Sequence, residues 1–193
     1  MDSTLPEPWD VSGLGAAQIV ALPTSVDRSV RISSTVDGDV TAACRPATVV
    51  LGGSIRIAVD FLVGRAPSSP VLLVSLVSGG APLLGFGLDA AGAPVEIAGD
   101  GAVHPGEALA SDPPRPSAST GHRPPTWQRL EVAISTATGG VEWQVRDISG
   151  AQTGSGQTQV VNSANGAFDT ICFLSPQGSP SGWTAIDDLV VEG

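Results

Sequence analysis

Glu131 and Glu142 are spaced so that they could serve as a pair of catalytic carboxylates. Both fall on the polar sides of consecutive predicted strands. They could therefore approach each other across a hairpin, at the roughly 5–10 Å that glycoside hydrolysis needs. Charged side chains that keep the outer face of a sheet soluble explain the two residues equally well. The pair by itself does not establish an activity.

Other nucleophiles and bases have less support. His104 and His122 lie in a segment rich in proline and glycine, whereas a catalytic base must be held rigidly, and the chain has no tyrosine to donate a proton. No Gly-x-Ser-x-Gly motif occurs, and neither Cys44 nor Cys172 has an obvious histidine partner. Whether the chain is an enzyme stays uncertain, and a non-catalytic protein is favoured.

Composition excludes several classes of partner. The chain has 193 residues, no lysine and a formal net charge of -10, which would repel a phosphate backbone. No apolar run approaches the roughly 20 residues that span a bilayer. We therefore expect neither nucleic-acid binding nor membrane insertion. The N-terminus lacks the pattern of a secretory signal, while the oligomeric state is not readable from the sequence.

The elements that position these residues read as β-strands. Apolar and polar residues alternate over Ser54–Val63, and Val71–Val77 is almost continuously apolar, as in a strand covered on both sides. Alternation returns in 130–134 and 141–145, which predicts a hairpin that buries Trp143. Asp37-Gly38 predicts a further hairpin, with Cys44 on the return strand. About eleven or twelve strands and no convincing helix indicate an all-β, antiparallel two-sheet β-sandwich.

The segment from about 99 to 125 differs from the rest. It is rich in glycine, alanine, serine and proline, and no hydrophobic period survives in it. We predict a long loop, which is unusual in a compact domain. The whole chain, residues 1–193, is expected to form a single β-sandwich domain.

Three stretches together resemble the concanavalin A-like, or laminin G-like, jelly-roll superfamily. They are Trp127–Ile134, Val141–Gly150 and Ala185–Val191, which look like a W-x-x-V-x-V strand, a V-x-V-x-D-x-x-G hairpin and a closing Y-x-D-D-V-x-V strand. Ala185 replaces the usual aromatic, and Ser149 extends the hairpin turn. The resemblance implies a jelly-roll fold more strongly than an activity.

The superfamily includes glucanases, lyases, lectins and accessory modules of secreted enzymes. Its glucanases carry Glu-x-Asp-x-x-Glu on one strand, and this chain has no such triplet. The resemblance thus implies a non-catalytic module that binds a neutral glycan or supports a secreted enzyme or surface assembly. The alternatives are a structural protein that acts through protein–protein contacts, and a polysaccharide-cleaving enzyme with an unrecognised site.

The same resemblance implies binding residues. Exposed tryptophans stack on sugar rings in lectin-like sheets, and Trp127 and Trp183 lie at strand edges, where they fit either a binding or a packing role. Neutral polysaccharides are favoured because the charge of -10 disfavours acidic polymers, unless calcium or the local Arg115 and Arg123 compensate.

A disulfide and a calcium ion are implied as well. The two cysteines by count could be bridged or be buried thiols, but early and late strands of this sandwich type pair, so we expect Cys44 and Cys172 to be bonded. That bridge favours an extracellular or cell-surface location, with a cytoplasmic one left open. Four aspartates supply hard oxygens for a structural calcium: Asp37, Asp39, Asp187 and Asp188. The alternative is that both acidic pairs simply occupy turns and the start of a strand.

Overall fold

The computed structural model describes a protein built of β-strands. It describes residues 9–13, 15–21, 28–34, 40–47, 54–64, 71–89, 92–106, 127–135, 137–159, 168–175 and 183–193. Within these ranges there are fourteen strands and no helix. The strands are β1 (Asp10–Ser12), β2 (Ala16–Ala21), β3 (Arg28–Ser33), β4 (Ala42–Pro46), β5 (Ser54–Val63), β6 (Val71–Ser78), β7 (Ala81–Leu88), β8 (Pro94–Ala98), β9 (Val103–Pro105), β10 (Gln128–Ser135), β11 (Gly140–Asp147), β12 (Gln152–Gln159), β13 (Thr170–Leu174) and β14 (Trp183–Glu192).

The strands form two seven-stranded sheets. The first sheet has the order β1-β4-β13-β6-β7-β8-β9, and the second has the order β12-β11-β10-β5-β14-β3-β2. Every pairing is antiparallel. The prediction of an antiparallel two-sheet sandwich is confirmed. In the part of the chain that the structure describes, no helix is long and apolar enough to cross a membrane.

The core lies between the sheets, where the alternating strands bury one face each. On β5 the inward residues are Ile55, Ile57, Val59 and Phe61, all 5% exposed or less. The matching inward residues of β10 and β11 are also buried: Leu130, Val132, Ile134, Val141, Trp143 and Val145. The predicted hairpin of β10 and β11 is confirmed by its register, in which Val132 faces Trp143.

The closing strand β14 occupies the middle of the second sheet, between β5 and β3. Its pairing with β5 shifts between Asp187 and Val190, and Asp188 has a φ of 47° there. Ala185, which replaces the aromatic of the resembled motif, is fully buried. The C-terminal stretch is therefore a central strand that carries an irregularity at its two aspartates.

The predicted hairpin at Asp37-Gly38 is wrong, although residues 35–39 themselves lie outside the described residues. The flanking strands β3 and β4 belong to different sheets. β3 pairs with β14, which lies at the far end of the chain, and with β2. These pairings bury Ile32 in the core, so long-range pairing of β3 prevails over the local turn signal.

The first part of the predicted loop at 99–125 contains a turn and the strand β9. The chain turns at Asp100-Gly101 and adds β9 to the edge of the first sheet, where Ile97 faces Val103. The amide of Ala102 donates to the Asp100 carboxylate at 2.9 Å, and Gly101 takes the positive φ of 88° that the turn requires. A strand of three residues is too short to show an alternation of apolar and polar residues in the sequence. Residues 107–126 lie outside the described ranges.

The predicted disulfide between Cys44 and Cys172 is present. The two residues face each other directly in the pairing of β4 with β13, and their Cα atoms are 4.0 Å apart. The bridge joins positions that are 128 residues apart in sequence. It ties an early strand of the first sheet to a late one, as the resemblance implied.

Candidate functional site

The two outer faces of the sandwich differ in chemistry. One row of residues crosses all seven strands of the first sheet on its outer face, and most of its members are small or apolar: Asp10, Cys44, Cys172, Ser75, Gly85, Ile97 and Val103. Such a row offers few groups that could hydrogen-bond a ligand. The disulfide lies on this face.

The outer face of the second sheet is polar and carries a groove of about 900 Å³. This groove crosses β12, β11, β10, β5 and β14. Small residues line part of it, namely Ala58, Ala133 and Gly156. Its polar residues are Arg56, Arg129, Glu131, Glu142, Gln144, Ser155, Gln157 and Glu192. Hydroxyl-rich ligands would meet both donors and acceptors here.

The strand register explains why these residues converge. Ala133 faces Glu142 on one side and Arg56 on the other. Glu142 in turn faces Gln157, and Arg56 faces Glu192. The five residues form a row perpendicular to the strands, and because neighbouring strands lie about 4.8 Å apart the row is about 19 Å long. Among the described residues, the groove is thus lined by paired strands alone.

Glu131 accepts one hydrogen bond and lies at ion-pair distance from two arginines. The Gln144 side-chain amide donates to Glu131 Oε2 at 2.6 Å. The Nε atoms of Arg129 and Arg146 lie 3.5 Å and 3.7 Å from its oxygens. Arg146 also donates to Gln144 Oε1 at 3.0 Å, which closes the network. Such a network restrains the position of the Glu131 carboxylate.

The two glutamates that could form a catalytic pair lie on the same face but not opposite each other. Glu131 faces Gln144, while Glu142 faces Ala133, so the two are diagonal neighbours. Glu142 accepts a hydrogen bond from Gln157 Nε2 at 3.4 Å. Both carboxylates therefore have amide partners, as expected for residues that shape a polar surface.

Asp60 lies beside the groove and pairs with Arg129 at 2.9 Å. Partial burial raises the pKa of the Asp60 carboxyl above its ordinary value of 3.8, and the neighbouring Asp188 and Asp187 raise it further. The charge of Arg129 and its hydrogen bond oppose that rise. Asp60 thus belongs to a small acidic group that one guanidinium partly neutralises.

The predicted calcium ligands are only partly within the described residues, since Asp37 and Asp39 lie outside them. Asp187 accepts hydrogen bonds from the Ser29 hydroxyl and from the amide of Asp188, each at 3.0 Å. Among the described residues, no group of three or more potential metal ligands occurs. The calcium site therefore stays a prediction.

Trp183 falls on the same outer face as the groove, at the end of β14 away from it, and Trp127 lies directly before β10. Trp183 is four residues before Asp187 and shares its side of β14, while Trp127 is two residues before Arg129. The Arg31 guanidinium lies 5.0 Å from the centre of the Trp183 ring. Gly64 contacts the same ring so closely that a Cβ there would overlap it. The indole of Trp183 is thus already packed on the sheet.

Trp143 lies in the core, as predicted, and reveals a residue that the sequence did not single out. Its indole N–H donates to Glu96 Oε2 at 3.1 Å, and Glu96 is only 4% exposed. The ring also meets Phe86 edge-on, with centroids 5.8 Å apart. In the sequence, Glu96 is one acidic residue within the apolar run 94–98, and nothing there indicates that it points inward.

The histidines do not join the groove. His104 is exposed on the edge strand β9, and His122 lies outside the described residues. Residues missed by the sequence reasoning are Arg56, Gln144, Gln157 and Glu192. Each could be recognised as an outward residue of a strand, but their convergence depends on pairings between strands far apart in the chain.

Comparison with known proteins identifies the fold. No protein-family model and no curated protein sequence matches the chain. Among solved structures, the chain is similar to arcelin-5, a lectin-like defence protein from Phaseolus vulgaris. The TM-score is 0.62 at 6% identity, and the similarity covers 98% of this chain and 94% of arcelin-5. Lectin II from Ulex europaeus gives 0.61 at 9% identity, with 99% and 95% covered.

A third similar structure is the cellulose-induced protein Cip1. Its TM-score is 0.60 at 15% identity, and the similarity covers 95% of this chain and 90% of that one. The chain therefore has the fold of the legume lectins, the concanavalin A-like jelly roll. At these identities the likeness establishes the fold alone.

Proposed function

We propose that the chain is a non-catalytic glycan-binding module, and that its ligand lies in the groove on the outer face of the second sheet. The observation that carries this proposal is the row of amide, carboxylate and guanidinium groups that crosses five strands. Sugars present hydroxyl groups that both donate and accept hydrogen bonds, and such a row contains acceptors and donors for them. Lectins among the structures of the same fold support the proposal.

A neutral polysaccharide is the proposed ligand class. The polar residues that line the groove include three glutamates, Glu131, Glu142 and Glu192, against the two arginines Arg56 and Arg129. The whole chain also carries a net charge of -10. An acidic polymer would meet repulsion from both. Glucans, galactans and mannans are therefore the first ligands to test.

Trp127 and Trp183 would extend the binding face beyond the groove. Trp183 lies on the outer face of the second sheet, at the end of β14 away from the groove, and Trp127 directly precedes β10. An indole ring can stack on a sugar ring. Calorimetry with Trp127→Ala and Trp183→Ala tests this role separately from the groove. Binding that survives both substitutions would restrict the site to the groove.

An extracellular or cell-surface location is proposed from the disulfide. Disulfides persist in oxidising compartments and are rare in the cytosol. The Cys44–Cys172 bridge supports such a location. Expression with and without an export signal, followed by mass spectrometry under non-reducing conditions, tests whether the bond forms only outside the cytosol.

A structural calcium remains part of the proposal, with Asp187 and Asp188 among its ligands. Calcium requires six to eight oxygens, so further ligands must come from backbone carbonyls, water or Asp37 and Asp39. We expect added calcium to raise the melting temperature and Asp187→Ala to remove that rise. A melting temperature that chelator and calcium both leave unchanged would eliminate the site.

A further inference from the structure

The carboxylates of the groove differ in how far their charge is compensated. Glu131 lies at ion-pair distance from Arg129 and from Arg146. Glu142 instead accepts a hydrogen bond from an amide, the Nε2 group of Gln157, at 3.4 Å. A neutral amide leaves the charge of a carboxylate in place, because it brings no positive charge of its own. Glu142 is therefore a negative charge that the groove does not neutralise.

Glu192 is a second carboxylate of this kind. It faces Arg56 in the pairing of β14 with β5, and both side chains are exposed. Every ion pair among the described residues involves Arg129 or Arg146. Within that part of the chain, no guanidinium therefore lies at ion-pair distance from Glu192 or from Glu142. Both carboxylates are accessible to a cationic group of a ligand.

Sheet pairing fixes the spacing of these two charges. Ala133 separates Glu142 from Arg56 in the row that crosses the groove. Arg56 in turn faces Glu192. Three strand spacings of about 4.8 Å place the two glutamates about 14 Å apart along the row. A ligand with a single ammonium group reaches one of them, whereas a chain with an amino group on every unit can reach both.

The surroundings of the groove are negative as well. Asp60 lies beside it, faces Asp187 in the pairing of β5 with β14, and is followed there by Asp188. With the three glutamates of the groove, these aspartates give six carboxylates. The arginines in and beside the groove are three: Arg56, Arg129 and Arg146. Because the whole chain also has a net charge of -10, cations are attracted to this face.

We propose that the groove binds chains of amino sugars in preference to neutral chains, with protonated amino groups at Glu142 and Glu192. This inference rests on the proposed function, that the groove is a glycan site. A neutral chain avoids the repulsion that an acidic polymer meets, whereas a chain of ammonium groups is attracted by the same charges. The hydroxyl groups of the sugars have hydrogen-bonding partners in Gln144, Ser155 and Gln157.

Oligomers of equal length that differ only at the second carbon of each sugar test the ligand class. They are β-1,4-linked glucosamine, N-acetylglucosamine and glucose. Calorimetric titration of the whole chain at about pH 5.5 keeps the amino groups protonated and the glutamates ionised. We expect the glucosamine oligomer to bind at least fivefold more tightly than the other two, which corresponds to about 1 kcal/mol. Salt at about 1 M should remove this preference, because the carboxylates are exposed.

The outcomes separate this preference from the proposed function. Binding of the glucosamine oligomer that is absent, or no tighter than that of its neutral counterparts, would overturn the inference. If a neutral glycan binds in that case, the groove remains a glycan site and only the preference is wrong. If no glycan binds at all, the inference and the proposed function are both wrong.

The double variant Glu142→Gln with Glu192→Gln tests where the charge acts. It keeps an acceptor oxygen at both positions and removes both charges. The ratio of the affinities for the glucosamine and N-acetylglucosamine oligomers should therefore lose its preference for glucosamine. Partial misfolding lowers the number of sites and leaves this ratio unchanged. A preference that the double variant retains in full would overturn the inference.

A matched control removes two carboxylates from the first sheet, as Asp10→Asn with Asp100→Asn. Asp10 is exposed on β1, and Asp100 is exposed at the turn between β8 and β9. The control changes the net charge by the same amount as the groove variant and should keep the preference for glucosamine. Loss of the preference to the same extent would show that the net charge of the chain attracts the ligand, and would overturn the assignment to the groove.

A lysine oligomer with the same number of charges distinguishes a glycan from a cationic peptide. It offers ammonium groups without the hydroxyl groups that Gln144, Ser155 and Gln157 would bind. We expect it to bind at least fivefold more weakly than the glucosamine oligomer. Equal or tighter binding of the lysine oligomer would assign the groove to cationic peptides and overturn the inference.

Discussion

The buried hydrogen bond between Trp143 and Glu96 offers a sharp test of the core. The indole N–H donates to the Glu96 carboxylate at 3.1 Å, and both side chains are only 4% exposed. A hydrogen bond to a charged group contributes about 1.5–3 kcal/mol, and leaving a buried polar group without its partner costs about 1–3 kcal/mol or more. We therefore expect Trp143→Phe to lower the free energy of unfolding by about 2–4 kcal/mol.

A double-mutant cycle separates this bond from the loss of ring volume. Glu96→Leu leaves the indole N–H without its acceptor, whereas Trp143→Phe with Glu96→Leu removes both partners. The double variant should therefore be less destabilised than the sum of the single variants, with a coupling of about 1.5–3 kcal/mol. Glu96→Gln, which keeps a carbonyl acceptor, is the conservative control and should lose less than Glu96→Leu.

Urea unfolding followed by far-ultraviolet circular dichroism measures each variant, since it does not depend on tryptophan emission. At this chain length, 1 kcal/mol corresponds to about 2–4 °C in the melting temperature, so the shift of Trp143→Phe should also be visible by heating. Additive effects of the two single substitutions, within about 0.5 kcal/mol, would show that the bond does not contribute as argued.

Two further predictions follow from the disulfide and from Asp60. Replacing both Cys44 and Cys172 with alanine removes a cross-link that spans 128 residues. The chain-entropy relation predicts a loss of about 5 kcal/mol in the free energy of unfolding, or a fall of about 10–20 °C in melting temperature. A fall of only about 1–2 °C would contradict this prediction. The pKa of Asp60, measured by NMR titration, should lie above 3.8, decrease in Asp187→Asn and increase in Arg129→Gln. Because this pKa is higher in the folded state than in the unfolded chain, ionised Asp60 costs stability at neutral pH, and that cost is relieved as pH falls through the folded pKa; a pKa that neither substitution moves would refute the assigned neighbours.

Regular alternation made the core predictable. Large apolar residues occupy every second position from Ile55 to Phe61 in the sequence, and the structure buries these residues. Trp143 was assigned to the core for the same reason. Period-2 patterning is a local property, so one strand carries enough information to identify its buried face.

Turn chemistry was less reliable, because the same dipeptide has two outcomes in this chain. Asp100-Gly101 joins two paired strands, β8 and β9. Asp37-Gly38 lies between strands of different sheets. A turn signal depends only on the local sequence. β3 pairs instead with β14, which lies at the far end of the chain.

The groove could not be predicted because its geometry is a property of register. Arg56 and Glu192 face each other although they lie in distant parts of the sequence, and Glu142 joins the same row through Ala133 on the one intervening strand, β10. A shift of one residue in any of these pairings would turn a polar row towards the core. Only the paired sheet shows which outward residues become neighbours.

Calorimetric titration with neutral glucans, galactans and mannans tests the central claim, that the groove on the second sheet binds a glycan. We expect at least one of them to bind, and expect Arg56→Ala and Glu142→Ala each to weaken binding at least tenfold, which corresponds to about 1.4 kcal/mol. Asp10→Ala, which removes an exposed carboxylate from the outer face of the first sheet, is the matched control and should leave the affinity unchanged. Binding that both groove variants retain and that Asp10→Ala abolishes would transfer the site to the opposite face, and the absence of binding to every glycan would contradict the proposed function.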